Sequence, residues 1–347
     1  MEYRIRLSGV APKLFPTETF FALLYNGAEQ PMELPKEMPF SGDWGRSASI
    51  WESDTETFPL PNAIDMVWLS ITEQAFYSVE KPLPTEKLKS LFSQENEGLF
   101  DNIIIGMAPY GGLALWVSSE KKSTLLTWLN GEPTLVDISD FLPENPNVAL
   151  QDYCNFYIGN DPLVKQNLEE NGLPPRDLYD NYMKQFTYRY LPLFERWDKN
   201  EEQWQKYKEE EQETRPKLDY IEESLFDGTH DKLHNGSLLN YHEAGKPMKL
   251  SIKWHIKKSE YVAYLWFEDE AIRTIFNKFY GIHPDTKTDF IIHIDPQQNE
   301  YQLALFRYGL KEPLVINKNA YQLIVFKNKF EQYRSDNYDQ PSGAWIW

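Results

Sequence analysis

The chain reads as an α+β protein built from two tandem copies of an antiparallel-sheet-plus-helix unit joined by a helical insert. Three observations predict this. Short runs of alternating apolar and polar residues lie on both sides of a charged middle, and that alternation is the mark of half-buried strands. Aromatic residues make up 15% of the 347, with 11 Trp, 21 Tyr and 20 Phe, a load that favours strands and packed surfaces over disorder. The order of elements before the middle then recurs after it. The expected boundaries are residues 1–150 for the first unit, 151–245 for the helical connector and 246–347 for the second unit.

The elements follow from the residues in order. Tyr3, Ile5 and Leu7 alternate with charged or small residues and open the chain as a strand. The run Phe20 to Tyr25 is a second strand, closed by Asn26-Gly27. Residues 28–62 are rich in Pro, Gly, Ser and acids and read as a long loop, with Trp44 and Trp51 covering the edge of a core. Ile64 to Ser70 and Gln74 to Val79 form a strand pair, and Pro84 opens a helix with Leu88, Leu91 and Phe92 on one face. Ile103 to Met107 and Leu113 to Val117 flank the turn Tyr110-Gly111-Gly112, and short strands follow near 125–129 and 134–138.

The spacing predicts helix from about Asp152 to Phe226. Tyr179, Tyr182, Met183, Phe186 and Tyr190 form one aromatic stripe, and Trp197, Trp204 and Tyr207 continue it to the acidic run Glu209-Glu210-Glu211. Leu218, Ile221 and Leu225 give a last apolar face, ended by Asp227-Gly228. From Lys249 strands return: Leu250, Ile252 and Trp254 alternate, and Tyr261 to Phe267 pairs with them. A helix follows over 268–279, then strands at 290–294, 303–308, 314–316 and 323–326. Trp345 and Trp347 give the tail an apolar finish that favours docking over fraying.

Residue matches support the duplication. Trp68 corresponds to Trp254, an offset of 186 (254 − 68). Leu113-Ala114-Leu115-Trp116 corresponds to Leu303-Ala304-Leu305-Phe306, an offset of 190 (303 − 113). Glu132-Pro133 corresponds to Glu312-Pro313, an offset of 180 (312 − 132). A period this long means two domains or half-domains and excludes a solenoid.

The formal net charge is −18. That field repels phosphate backbones, so no nucleic-acid partner is expected, and it repels anionic lipid surfaces too. It would steer a basic protein toward the surface. No run is long and apolar enough for a membrane span. Cys154 is the single cysteine, so no intrachain disulfide can form, which fits a reducing compartment. The start, MEYRIRLSGVAPKLF, has no apolar core of signal-peptide length. The sequence therefore predicts a cytoplasmic location, with the envelope as the alternative had a signal segment been removed.

All six histidines lie between His230 and His293. His230, His234 and His242 stand with Asp227 and Asp231 in one seam, and imidazole with carboxylate suits zinc or a similar ion. On a helix His230 and His234 would share a face, but the Gly and Asn around them oppose a helix, and no Glu follows the first His as in zinc proteases. The simpler reading is polar turn residues, so these five are weak metal candidates and no metal or other cofactor is expected. No catalytic residue is assigned either. There is no GxSxG elbow, APYGG lacks phosphate-loop spacing, and Cys154 sits among apolar neighbours.

Four stretches carry a family resemblance: DGTHDKLHNGSLLNYHEAGKPMKLSIKW, DNIIIGMAPYGGLALWV, TKTDFIIHID and AYQLIVF. They resemble an uncharacterised family of bacterial proteins of unknown function, some of whose members are described as lipoproteins. The resemblance runs from about Met38-Pro39 to the C-terminal Trp. It implies no catalytic residues, and the chain differs from the lipoprotein members in lacking a signal and an N-terminal cysteine.

Three functions follow as expectations. The first is a non-enzymatic binding protein that recognises a protein partner through an acidic, aromatic surface, with an immunity-type protein that neutralises a basic toxin as one form. The second is a metal-dependent hydrolase using Asp227, His230, His234 or His242. The third is a cytoplasmic scaffold.

Overall fold

The computed structural model describes residues 3–27, 31–34, 40–46, 57–93, 101–119, 122–194, 216–281, 286–295, 300–307, 309–310, 313–328 and 331–336. About half of the described residues are strand, arranged in several sheets with helices packed on them, an α+β protein in the broad sense. The chain divides into two compact units. Of the described residues, the first holds 3–183 and 227–229, and the second holds 184–226 and everything from 230 on. The second unit thus begins at 184, well before the expected 246, because 186–193 and 217–225, in the presumed helical connector, are strands that pair within the second unit.

The first unit holds β1 (Tyr3–Arg4), β2 (Arg6–Val10), β3 (Thr17–Tyr25), β4 (Met32–Glu33), β5 (Thr57–Phe58), β6 (Ala63–Ser70), β7 (Ala75–Pro82), β8 (Asn102–Ala108), β9 (Gly112–Ser118), β10 (Ser123–Asn130) and β11 (Glu132–Thr134). One antiparallel sheet runs β11-β7-β6-β3-β4. In the other, β8, β9 and β10 are antiparallel neighbours and β2 lies parallel to β8. Between the sheets pack Leu24, Ile64, Met66 and Trp68 from one side and Ile103, Ile105, Leu113 and Leu115 from the other. Helix α1 (Thr85–Phe92) closes this core with Leu88, Leu91 and Phe92, the face its spacing predicts.

Four further helices follow: α2 (Ile138–Phe141), α3 (Leu150–Asn160), α4 (Pro162–Glu170) and α5 (Leu178–Tyr182). They are not a connector. Phe141, Leu142 and Cys154 pack with Leu69, Ile71 and Phe76, so α2 and α3 cover the outer face of the β6–β7 sheet. Phe141 meets Phe76 and Phe20 edge-on at 5.1 and 5.9 Å. Cys154 is buried, and burial together with nearby Glu18 pushes its thiol up to about 12. A thiol that stays protonated and covered does not react. A thiol-specific reagent at pH 8 is therefore expected to leave the native protein unlabelled and to modify one cysteine after denaturation; rapid native labelling would contradict this packing.

The second unit holds β12 (Phe186–Leu193), β13 (Lys217–Leu225), β14 (His230–His234), β15 (His242–Ala244), β16 (Pro247–Ile256), β17 (Ser259–Phe267), β18 (Thr288–Asp295), β19 (Glu300–Phe306), β20 (Leu314–Ile316), β21 (Tyr321–Lys327) and β22 (Glu331–Asp336). Its strands β14-β13-β16-β17-β21-β22 are consecutive antiparallel neighbours. A second sheet runs β15-β12-β18-β19-β20, with β12 parallel to β18. The helix Asp269–Tyr280 buries Ile272, Phe276, Phe279 and Tyr280, as the expected helix over 268–279 requires.

In the middle of the chain two expected helical faces fail, and the strand expected near 134–138 gives way to α2 after β11 ends at Thr134. Residues 217–225 form a strand, not a helix. The register slips between Leu218 and Tyr220, so Asp219 is an extra residue. Inward positions become Leu218, Ile221, Glu223 and Leu225, and the spacing of the three apolar ones mimics a helical face. The aromatic stripe also breaks. Only its first part is helical, in α5, whereas Phe186, Tyr188 and Tyr190 face inward at period two along β12. Trp51, Trp197, Trp204, Tyr207, the run 209–211 and the two terminal Trp lie outside the described residues. Trp44 is half-buried against Trp116 and Tyr179, with ring centres 4.8 and 5.5 Å away.

Candidate functional site

The histidine seam is spread out by the fold. His230, Asp231 and His234 stand on β14, and His242 stands on β15 of the other sheet. His230 and His234 are four residues apart on a strand, which separates them by about 13 Å. Asp231 accepts the Lys232 N–H at 2.7 Å, and the backbone N–H of His234 donates to Ser237 Oγ at 3.1 Å. Asp227 belongs with the first unit, where its carboxylate accepts the Thr229 N–H at 2.9 Å and its carbonyl accepts from Trp116 Nε1 at 2.8 Å. These are the turn and cap roles of short polar residues. Among the described residues no three His, Cys, Asp or Glu side chains form a group able to hold a metal ion.

His242 meets a buried acid. Its Nε2 lies 3.8 Å from Glu223 Oε1, and Glu223 Oε2 accepts a 2.6 Å bond from Tyr190. Sequence spacing missed Glu223, because the slipped register of β13 turns this acid inward.

The clearest candidate surface is the outer side of α3 and α4 in the first unit. Its positioning starts at Glu18 on β3, a buried carboxylate that accepts the Tyr153 hydroxyl at 2.6 Å. Burial, then that bond, holds the Tyr153 hydroxyl far above its usual pKa. Gln74 Nε2 donates to Asn155 Oδ1 at 3.1 Å. Asp161 caps α4, its side chain accepting from Leu163 N and Val164 N, and Pro162 takes the first-turn place where no N–H is missed. Gly172, at φ +70°, ends the helix in the left-handed conformation that glycine adopts at little cost.

Residues 173–183 then return over the turn between β8 and β9. Tyr110 donates its hydroxyl to Pro174 O at 2.9 Å, and the Arg176 guanidinium lies 5.2 Å over the Tyr110 ring. Trp128 Nε1 donates to Asp180 Oδ1 at 2.8 Å. Tyr110 itself sits at φ +63°, where a side chain is strained, and its N–H is held by Glu73 Oε2 at 2.9 Å.

The helices thus present one face inward, through Tyr153, Cys154 and Val164, and the other to solvent. The outer face is both apolar and acidic. Four of the seven large apolar side chains exposed among the described residues fall between 135 and 173: Leu135, Phe156 at 66%, Leu163 at 42% and Leu173. Between 137 and 173 the acids are Asp137, Asp140, Glu144, Asp152, Asp161, Glu169 and Glu170, against Lys165 as the only basic residue. Ser139 holds the Asp137 carboxyl below its ordinary value by donating from its hydroxyl and its backbone N–H. This face thus combines exposed apolar side chains with an excess of acids.

The fold and this surface together define an α+β protein of sheets and packed helices with an acidic helical face. Residues 4–174 match the family model described as a protein of unknown function, DUF2931, so this part of the chain is similar to that uncharacterised family. The match starts and stops earlier than the resemblance in the sequence implied. It includes DNIIIGMAPYGGLALWV and ends within the first unit, at the close of α4 and the turn after it. No curated protein and no solved structure matches the chain. No helix among the described residues is long and apolar enough to cross a membrane.

Proposed function

We propose that the protein is a non-enzymatic binding protein that receives a basic protein partner on the outer face of α3 and α4. The observation that carries this is the coincidence there of exposed Phe156 and Leu163 with four acids, Asp152, Asp161, Glu169 and Glu170, and one lysine, Lys165. Apolar side chains that could have been buried but stand in solvent mark an interaction surface when they cluster. The acids would speed association with a cationic partner and exclude acidic ones, while an aromatic anchor would supply much of the affinity. An immunity-type protein that neutralises a basic toxin is one form of this reading. A cytoplasmic location is part of it, in keeping with a single buried thiol.

The test is capture of partners from the native host by the intact protein, repeated with Phe156→Ala and with Glu169→Lys/Glu170→Lys. A basic protein should be retained, with about tenfold weaker binding for the first variant. The second variant should slow association and remove most of its salt dependence. Retention of only acidic proteins, or equal retention by all three forms, would count against this surface.

We also infer that the two units descend from one duplicated unit. What supports it is detail beyond the element order. Thr19 opposes Trp68 and a bulge follows at Phe20; Leu218 opposes Trp254 and a bulge follows at Asp219. Trp68 opposes Tyr77, and Trp254 opposes Tyr261. In each unit a strand preceding this sheet lies parallel to the first strand after the helix. A bulge at the same place beside the same residue is a family trait more than a convergence.

A further inference from the structure

One glycine on the outer face of α3 is explained neither by the backbone nor by packing among the described residues. Gly159 is helical and exposed. Its φ lies outside the left-handed region, and a Cβ built on it would meet nothing within 4 Å. It therefore does not end its helix as Gly172 ends α4, and it does not make room for a neighbour as Gly106 does for Trp116. Glycine is the poorest helix former after proline, so this position weakens α3 with no gain inside the fold.

Its neighbours on the helix surface are the exposed ones. Asp152, Phe156 and Gly159 fall at i, i+4 and i+7 and share one stripe about 10 Å long on the solvent side, opposite buried Cys154. The acids around this stripe are not neutralised within the chain. Among the described residues Asp152, Glu169 and Glu170 form no ion pair, and Glu170 accepts only the neutral Gln166 amide at 2.8 Å. Asp101, Asp269 and Asp289, by contrast, are each bonded to an arginine.

We propose that the partner segment received here is a cationic amphipathic helix, packed across Gly159 with its apolar side against Phe156 and Leu163. This rests on the basic-partner reading above and names the form that partner takes. The distance between two packed helices is set by the side chains where they cross, and a bare Cα at the crossing lets the second helix come close. Phe156 beside it supplies the large apolar contact. Lysines or arginines flanking the apolar side then meet Asp152 on α3 and Glu169 and Glu170 at the far end of α4. A strand fits less well, because strand recognition uses an open sheet edge, whereas a helix presents side chains and already bonds its own backbone.

The experiment measures binding of labelled peptides of about 20 residues, long enough to form a helix, to the intact chain by fluorescence anisotropy at physiological salt. One peptide is an amphipathic helix of Lys and Leu. A second has the same composition with the leucines spread around the helix, and a third replaces Lys by Glu. The first should bind about tenfold more tightly than the second, and the third should not bind. Gly159→Ala should weaken the first peptide by about tenfold and at the same time raise the unfolding midpoint, a pairing that a glycine needed by the fold would not give. Equal binding of the two Lys/Leu peptides, unchanged binding by Gly159→Ala, or a midpoint that does not rise would overturn the proposal. If a basic host protein is then still retained in a way that depends on Glu169 and Glu170, the helical form alone falls and the basic-partner reading stands. If Glu169→Lys/Glu170→Lys changes neither peptide binding nor host-protein retention, both fall.

Discussion

Trp116→Ala is expected to lower the free energy of unfolding by about 3–5 kcal/mol, the range for removing a large buried aromatic side chain. The indole is fully buried on β9. Two glycines are shaped around it: a Cβ on Gly106 would stand 2.3 Å from its ring, and one on Gly228 would stand 2.8 Å away. Trp44 lies against it edge-on. With backbone on two sides, the cavity left by alanine cannot collapse, so the cost should fall toward the upper end. Its Nε1 also donates to the Asp227 carbonyl, holding residues 227–229 in the first unit although they lie far along the chain. Trp116→Phe keeps most of the ring and loses the donor, for about 1 kcal/mol from the hydrogen bond, with a further cost for the lost bulk. Urea unfolding followed by circular dichroism reads both. An alanine variant within 1 kcal/mol of wild type would mean that the indole is not the centre of this packing.

Tyr190→Phe in the second unit is expected to cost about 1–3 kcal/mol, because it removes a donor from a buried carboxylate. Glu223 has a side chain only 3% exposed, and its 2.6 Å bond from Tyr190 is short, as charge-assisted bonds are. Replacing both residues together, as Tyr190→Phe/Glu223→Leu, should recover part of the loss, since neither side is then left wanting a partner. The pH dependence has a definite sign. Burial first, then the charge of Glu223, raises the Tyr190 pKa well above its ordinary 10.0. The unfolded chain therefore releases this proton first as pH rises. The contribution is fully present below pH 10 and is lost progressively above it. Wild type should lose stability more steeply than Tyr190→Phe on going from pH 9 to 11. Equal slopes would place the Tyr190 proton elsewhere than in this buried pair.

Much of the fold is legible in the residues. Leu88, Leu91 and Phe92 announced α1, and the alternation Leu250, Ile252, Trp254 announced β16, because in each case one period accounts for all the apolar positions. The middle misled for the opposite reason. At Leu218, Ile221 and Leu225 a bulge converts a spacing of two into three, and a helical pattern results from a strand. In β12 the aromatics at 186 and 190 satisfy both periods, and only Tyr188 between them decides for the strand. The candidate surface was not singled out in the sequence. The expected helix from about Asp152 ran on without the break that Asp161-Pro162 makes between α3 and α4, and that Phe156 faces water while Cys154, two residues earlier, faces the sheet is a matter of docking.

By itself the sequence determined what local chemistry can fix: strands and helices wherever one period holds, turn positions at glycine and proline, and a strongly negative net charge. It could not place side chains that depend on distant partners. Only tertiary structure carried Glu223 inward to Tyr190, spread the histidines over separate strands, and set Tyr264 and Trp266 side by side. The physical reason is that a strand takes its register and its buried side from the strands it pairs with, and a single inserted residue reverses every side chain beyond it.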